Sequence, residues 1–264
     1  MALTSVVSGP AERLAAPRHW EHGLVDEFSQ EQFEEGSFLA SAPMEAVQEI
    51  AQLGWHRLFH HGATLMTQGQ TPHRMLLLLC GRVKVAYQTD DGREVLFDIF
   101  GPGELIGAVC VIDGEPADAT TTAIDDVEAL VIDSAKFDRY LWANPDTARI
   151  LLRMLSRRLR KATQDRAALA MNDALGRICL RLTELADRYG ELTDGRIKIT
   201  LPLSQQELAA WTGTSREATS KALHTLRRRG CIETRRREIH ILDITDLHQR
   251  VTGNPRDLHL ALIS

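Results

Sequence analysis

Two short helical patterns separated by a glycine turn constrain this chain of 264 residues more than any other feature of its sequence. Ser204–Glu207 reads S-x-x-E, the pattern of a helix capping box, and a second pattern of this kind begins at Thr214 and ends at Glu217. Gly213 lies in the turn between them, and Gly230 lies where the second helix should end. Two short helices joined by such a turn form a helix-turn-helix motif.

The segment after this motif predicts a β-hairpin with an arginine-rich tip, the wing of a winged helix-turn-helix. Residues 216–237 contain eight bases against two acids, although the whole chain has a net charge of −5. Such a local positive excess is what a polyanionic partner requires, whereas a solvated, arginine-rich helix face is the alternative explanation.

The second helix of such a motif enters the DNA major groove with its N-terminus first, so that its first turns reach base edges. Arg216 can donate two hydrogen bonds to guanine, and Glu217 can accept one from cytosine, unless Glu217 caps Thr214 instead. We predict base-reading roles for Arg216, Glu217, Ser220 and Lys221. We predict phosphate contacts for residues at helix starts and in the wing, namely Ser204, Gln205, Thr214, Ser215, Arg235, Arg236 and Arg237.

The middle of the chain predicts an all-β domain. Between Arg57 and Phe137, turn signals that end in glycine recur about every 8–12 residues and separate short apolar runs. Residues 1–42 predict a flexible acidic extension, because serine, proline, alanine and acidic residues dominate there. Pro43 lies where a helix can begin.

A long helix is predicted from Pro145 onward, because neither glycine nor proline follows until Gly176. Its apolar residues recur at spacings of three and four, which is typical of a seam between two helices and therefore of a dimer. The predicted seam residues are Leu151, Leu155, Leu159, Ala162 and Leu169. Packing of this helix on its own barrel is the alternative.

The motif residues resemble the CRP/FNR superfamily, the cyclic-AMP receptor protein family of bacterial regulators. The matching segments are Leu203–Ala209, Gly213–Glu217, Gly81–Val85, Asp91–Val95, Gly101–Glu104, Asp113–Pro116, Arg157–Leu159 and Gly176–Ile178. The resemblance covers about residues 43–250. It implies a homodimeric transcription factor that binds a palindromic operator in double-stranded DNA, with RNA polymerase as a further partner. Thr219 is a small departure, because the family usually buries Val or Ile there.

The resemblance implies an α+β fold with an N-terminal double-stranded β-helix, a long dimerisation helix and a C-terminal winged helix-turn-helix. The predicted parts are the extension 1–42, the cyclic-nucleotide-binding-like sensor barrel 43–143, the dimerisation helix 144–171, the DNA-binding domain 172–250 and a tail 251–264.

The sensor departs from the family at the positions that hold the nucleotide. Members that bind cyclic nucleotide carry a Gly-Glu pair and, nine residues after the Glu, an Arg followed by Ser or Thr. The matching residues here are Gly107, Ala108, Ala117 and Asp118, and Ala162 and Thr163 match the base-contacting positions of the dimer helix. Replacing the cation by an apolar residue and adding a carboxylate reverses the charge of the site. We therefore expect that neither cAMP nor cGMP is bound as a cofactor in the family's manner, while a phosphate-free or cationic ligand stays open.

Other function classes find little support in the sequence. Cys80, Cys110, Cys179 and Cys231 are far apart, without a C-x-x-C pattern, so we predict no metal site. No catalytic triad or P-loop pattern occurs, and we predict no enzyme activity. No apolar run reaches the roughly 18 residues of a membrane span, and no signal peptide is apparent, so we expect a cytoplasmic protein. The alternative function is a sensor or scaffold for another small ligand, haem or redox change, with DNA binding secondary or lost.

Overall fold

The computed structural model describes residues 30–251. They form two compact units that divide between Leu159 and Arg160. Both units mix helices with antiparallel sheets, and the predicted α+β fold with a β-rich N-terminal domain, a long helix and a C-terminal helix-turn-helix is confirmed.

The first unit contains two four-stranded antiparallel sheets. Its strands are β1 (Gly54–Phe59), β2 (Thr64–Met66), β3 (Arg74–Cys80), β4 (Val83–Gln88), β5 (Glu94–Phe100), β6 (Leu105–Ile106), β7 (Thr120–Ala123) and β8 (Val127–Asp133). One sheet has the order β1-β8-β3-β6, and the other has the order β2-β7-β4-β5. Among the described residues, a 3₁₀ helix (Gln30–Gln32) and four α-helices precede the long helix of the chain, namely α1 (Phe38–Ser41), α2 (Met44–Ala51), α3 (Ala108–Asp113) and α4 (Ser134–Ala143).

Strand β3 is apolar along its length because both of its faces are buried. Leu76 and Leu78 belong to the core between the two sheets, whereas Met75 and Leu77 belong to a second core beneath the helices. Side chains alternate between the two faces of a strand, so a continuous apolar run is what burial on both sides requires.

The N-terminal boundary of the barrel differs from the prediction. Phe38 and Leu39 are buried in the core beneath the helices, and Ser37 caps α1 by accepting a hydrogen bond from the Ala40 N–H. The prediction of a flexible extension over residues 1–42 is therefore wrong for 37–42, because Phe38, Leu39 and Ala42 are buried in an apolar core. The rest of that extension up to residue 29 lies outside the described residues, as does the predicted tail from residue 252.

The long helix α5 spans Pro145–Met171. Leu151 is 2% exposed and packs in the barrel core together with Met154, so its predicted place in a dimer seam is wrong. Its neighbour Leu152 is 62% exposed instead. A helix turns by about 100° per residue, so one position decides between the barrel side and the outer side.

The second unit continues after α5 with a small sheet and four helices. Its elements are α6 (Ala174–Tyr189), β9 (Gly190–Thr193), β10 (Arg196–Ile199), α7 (Gln205–Thr212), α8 (Arg216–Arg228), β11 (Ile232–Arg235), β12 (Glu238–Ile241) and α9 (Ile244–Gln249). The sheet has the order β11-β12-β10-β9. Asp173 begins α6 by accepting a hydrogen bond from the Gly176 N–H at 2.8 Å.

Candidate nucleic-acid interface

Helix α8 has one buried and one exposed face. Thr219, Ala222, Leu223 and Leu226 are buried. The exposed residues of the opposite side include all four predicted base-reading residues and one residue that the prediction missed: Arg216, Glu217, Ser220, Lys221 and His224. His224 lies one turn beyond Ser220, so the helical spacing alone could have identified it.

The first predicted capping box is present. Ser204 Oγ accepts a hydrogen bond from the Glu207 N–H at 3.1 Å, and the Glu207 carboxylate accepts one from the Ser204 N–H at 2.9 Å. The Ser204 hydroxyl also donates to Glu207 at 2.7 Å. This hydroxyl proton is therefore already used, and we withdraw the side-chain phosphate contact predicted for Ser204.

The second predicted capping box is wrong. The residue that caps α8 is Ser215, whose hydroxyl accepts a hydrogen bond from the Ala218 N–H at 3.1 Å. Glu217 is therefore the second residue of the helix rather than the box partner of Thr214. Its exposed carboxylate makes no hydrogen bond or ion pair within residues 30–251. The capping role that would compete with base reading is thus absent.

Three threonines connect the two helices of the motif. The Thr212 hydroxyl donates to the Leu208 carbonyl at 2.8 Å. The hydroxyl oxygens of Thr212 and Thr214 are 2.9 Å apart, and those of Thr214 and Thr219 are 2.8 Å apart. A hydroxyl has only one proton, so Thr214 must donate to Thr212, and Thr219 to Thr214. We therefore also withdraw the phosphate contact predicted for the Thr214 side chain.

Arg177 in α6 fixes the turn of the motif from outside. Its guanidinium donates to the Asn172 carbonyl at 3.0 Å and to the Gly213 carbonyl at 3.3 Å. Gly213 adopts a φ of +59°, which glycine tolerates at a helix C-terminus. This long-range contact carries no signal in the sequence, and the prediction did not include it.

The wing has a cationic tip. Glu233 pairs with Arg196 at 2.8 Å, and Glu238 pairs with Lys198 at 3.4 Å, so bases of β10 neutralise both acids of the hairpin. The predicted phosphate-binding residues Arg235, Arg236 and Arg237 are exposed and form no ion pair in the described part of the chain.

The residues at the family's nucleotide positions lie at the start of α3, in the segment between α3 and β7, and in α5. Gly107 has a φ of +81° and precedes the buried Ala108. Ala117 is also buried, and its backbone bonds to the loop between β2 and β3, while Asp118 is exposed. Ala162 and Thr163 are exposed residues of α5.

The cysteine thiols and the arrangement of possible metal ligands bear on the other function classes. Burial raises the pKa of the Cys80 and Cys110 thiols, which makes them poor nucleophiles. Among residues 30–251, no group of three or more His, Cys, Asp or Glu side chains is arranged to hold a metal ion. Among these residues, no helix combines the length and the apolar composition that a membrane span requires.

Two family models match the chain. The cyclic nucleotide-binding domain matches residues 56–144, and the Crp-like helix-turn-helix domain matches residues 176–250.

Relatives and solved structures agree with both matches. The CRP-like cAMP-activated global transcriptional regulator of Mycobacterium tuberculosis is 33% identical over 73% of this chain and 86% of its own length. The cyclic AMP receptor protein of Thermus thermophilus is 30% identical over 67% of this chain and 78% of its own. The structure of a CRP family regulator from Thermus thermophilus aligns with a TM-score of 0.64 and 25% identity, covering 74% of this chain and 95% of that one. The chain therefore belongs to the CRP/FNR superfamily of transcriptional regulators.

Proposed function

We propose that this protein is a homodimeric, sequence-specific DNA-binding regulator that occupies a palindromic operator without being gated by cAMP in the usual way. The observation that carries the proposal is the exposed first part of α8. It presents Arg216, Glu217 and Lys221 to solvent without an ion pair in the described residues, on a helix whose other face is buried. These are the side-chain types that recognise guanine and cytosine edges in the major groove.

Dimerisation is supported by the outer face of α5. Leu152 and Leu159 are 62% and 70% exposed and lie seven residues apart. Ala162 and Leu169 are also seven residues apart and exposed, and Leu155, seven residues before Ala162, is half-buried against the barrel core. An apolar seam with this period is typical of two helices packed together. In such a dimer the two α8 helices would read half-sites about 34 Å apart, one turn of DNA.

Independence from cAMP is supported by the chemistry at residues 107–118. The buried Ala117 stands where the family places a phosphate-binding Arg, and the exposed Asp118 adds negative charge beside it. A cyclic phosphate would meet a carboxylate there without a cation to offset it. The Mycobacterium tuberculosis relative is cAMP-activated by name, so we propose that the two proteins differ in their signal rather than in their DNA-binding motif.

RNA polymerase is part of this proposal as the partner of the DNA-bound dimer. The support for it is the transcriptional role of the relatives.

Selection of binding sites from random duplex DNA tests the proposal directly. The protein is purified free of nucleotide, and selection is run with and without cAMP, with the double variant Arg216→Ala/Glu217→Ala as the control. We expect the same palindrome in both pools of the wild-type protein and its loss in the variant. Enrichment only with cAMP would refute the ligand independence, and the absence of any enriched site would refute sequence-specific binding.

A further inference from the structure

We propose that the sensor barrel binds a small organic anion in a cavity at the open end of its two sheets. The cavity has a volume of about 430 Å³, within the range of small-molecule sites. It is lined by residues of β1, β2 and β3, by the loop between β2 and β3, and by Val131 of β8. We call it the barrel mouth.

The barrel mouth is open because β1 and β2 are the edge strands of their sheets. Trp55 and Leu76 both lie opposite Val131 in the strand register, so all three side chains lie on the face toward the second sheet. Leu76 and Val131 are covered there, whereas Trp55 is exposed. The short β2 has only three residues, which leaves this end of the longer β1 uncovered.

Two arginines give the barrel mouth its charge. The guanidinium of Arg57 lies 4.7 Å from the centre of the Phe59 ring, and that of Arg74 lies 5.1 Å from the Trp55 ring. Neither arginine forms an ion pair within the described residues, and no Asp or Glu is among the described residues that line the cavity. Stacking on an aromatic ring orients a guanidinium group and leaves the N–H groups at its edge free to donate hydrogen bonds to a planar anion.

The remaining lining defines the class of ligand. Phe59, Leu76 and Val131 offer an apolar floor, and Thr64, Thr67 and Thr71 add hydroxyl groups. Burying an anionic group against the apolar floor without a polar partner would cost free energy. A molecule with an apolar body and one acidic group avoids this cost, because its body can contact the floor while its acidic group binds the two arginines. The ligand class is therefore a small aromatic or aliphatic carboxylate, sulfonate or phosphate.

This site adjoins the nucleotide position of the family but has a different lining. Gly107, Ala108, Ala117 and Asp118 do not line it. The methyl group of Met66 occupies the space beside the Gly107 Cα, where a larger residue would clash. The position of the family's phosphate-binding Arg thus holds Ala117, whereas two arginines line the barrel mouth.

Two fluorescent probes test the proposal in the full-length protein. The anionic probe is 1-anilinonaphthalene-8-sulfonate, and the neutral control probe is N-phenyl-1-naphthylamine, which lacks the sulfonate. We expect saturable binding of the anionic probe with about one site per chain. The double variant Arg57→Gln/Arg74→Gln should weaken it at least tenfold, because a charge-assisted contact is lost, and the neutral probe should bind as before.

The matched control is Arg93→Gln, an exposed arginine outside the cavity. It should leave binding of both probes unchanged, and Arg57→Lys/Arg74→Lys should retain part of the anionic affinity. Unchanged binding of the anionic probe in the glutamine variant, an equal loss in the Arg93 control, or no saturable binding by the wild type would overturn the proposal. The fluorescence readout does not involve DNA, so the proposed operator binding can fail or succeed independently.

Discussion

The hydroxyl oxygens of Thr214 and Thr219 lie 2.8 Å apart, and this contact ends a chain of hydroxyls that begins at the Leu208 carbonyl. The resemblance to the family leads one to expect Val or Ile at position 219, and a buried hydroxyl there needs a partner. Thr214 supplies that partner and in turn bonds to Thr212. The position of α8 relative to α7 therefore depends on polar contacts as well as on the apolar face.

Thr212→Val should lower the free energy of unfolding more than Thr219→Val. The first change breaks two hydrogen bonds and leaves the Thr214 proton without its acceptor, at a cost of about 1–3 kcal/mol. The second breaks one bond at the end of the chain and restores an apolar side chain, at a cost of about 1 kcal/mol or less. Urea unfolding measures both, with Thr225→Val as the control, since its hydroxyl bonds only within α8. Equal costs for Thr212 and Thr219 would contradict the assigned bond directions.

Arg216→Ala and Arg236→Ala should weaken operator binding in different ways. Loss of the base contact in Arg216→Ala should weaken the free energy of operator binding by about 1–3 kcal/mol. It should also relax the base preference at one base pair of each half-site. Loss of a phosphate contact at Arg236 should weaken binding about equally for all sequences and lower the salt slope by about 1. Affinity is measured on operators substituted at each position and at several salt concentrations. A variant of Arg216 that keeps the full base preference would exclude base reading.

Leu159→Glu should dissociate the proposed dimer, because it places a charge in the exposed seam of α5. Leu151→Ala should leave the dimer intact and instead destabilise the barrel by about 2–5 kcal/mol, since Leu151 is buried in the barrel core. Sedimentation gives the oligomeric state, and denaturant unfolding gives the stability. If Leu151→Ala dissociated the dimer while Leu159→Glu did not, the assignment of the two faces would have to be reversed.

Stability of the second unit should decrease above pH 9. Burial raises the pKa of Cys179 to about 12, and burial together with a hydrogen bond to Asp246 at 2.7 Å raises that of Cys231 to about 11, from an ordinary value of 9.0. Above pH 9 these thiols lose their protons in the unfolded chain but keep them in the folded one. The contribution of the two protonated thiols to the free energy of unfolding is therefore complete below pH 9 and is lost as the pH rises toward 11–12. The free energy of unfolding should fall by up to about 1.4 kcal/mol per pH unit for each thiol.

Unfolding by urea at pH 8, 9 and 10 measures this slope. Cys179→Ala should flatten it, because alanine does not titrate, while the other groups that titrate near pH 10 are the same in both proteins. Identical slopes for the wild-type protein and the variant would show that the Cys179 thiol does not contribute.

Local patterns in the sequence were sufficient for the helix-turn-helix and its wing. The Ser204–Glu207 capping box and the glycines at 213 and 230 mark where helices begin and end. These signals depend on the backbone geometry of neighbouring residues only, so they can be read from the sequence. The same holds for the antiparallel hairpin of β4 and β5 around Gly92.

Only the tertiary structure decided which side chains are available. Leu151 and Leu152 are adjacent leucines, and packing against the barrel buries one and leaves the other exposed. Packing also placed Ser215 rather than Thr214 at the start of α8, because the Thr214 hydroxyl lies between Thr212 and Thr219. Phe38 became part of the core, and Arg57 and Arg74 came to line one cavity. Residues distant in the chain make these contacts, and a pattern within one segment holds no information about them.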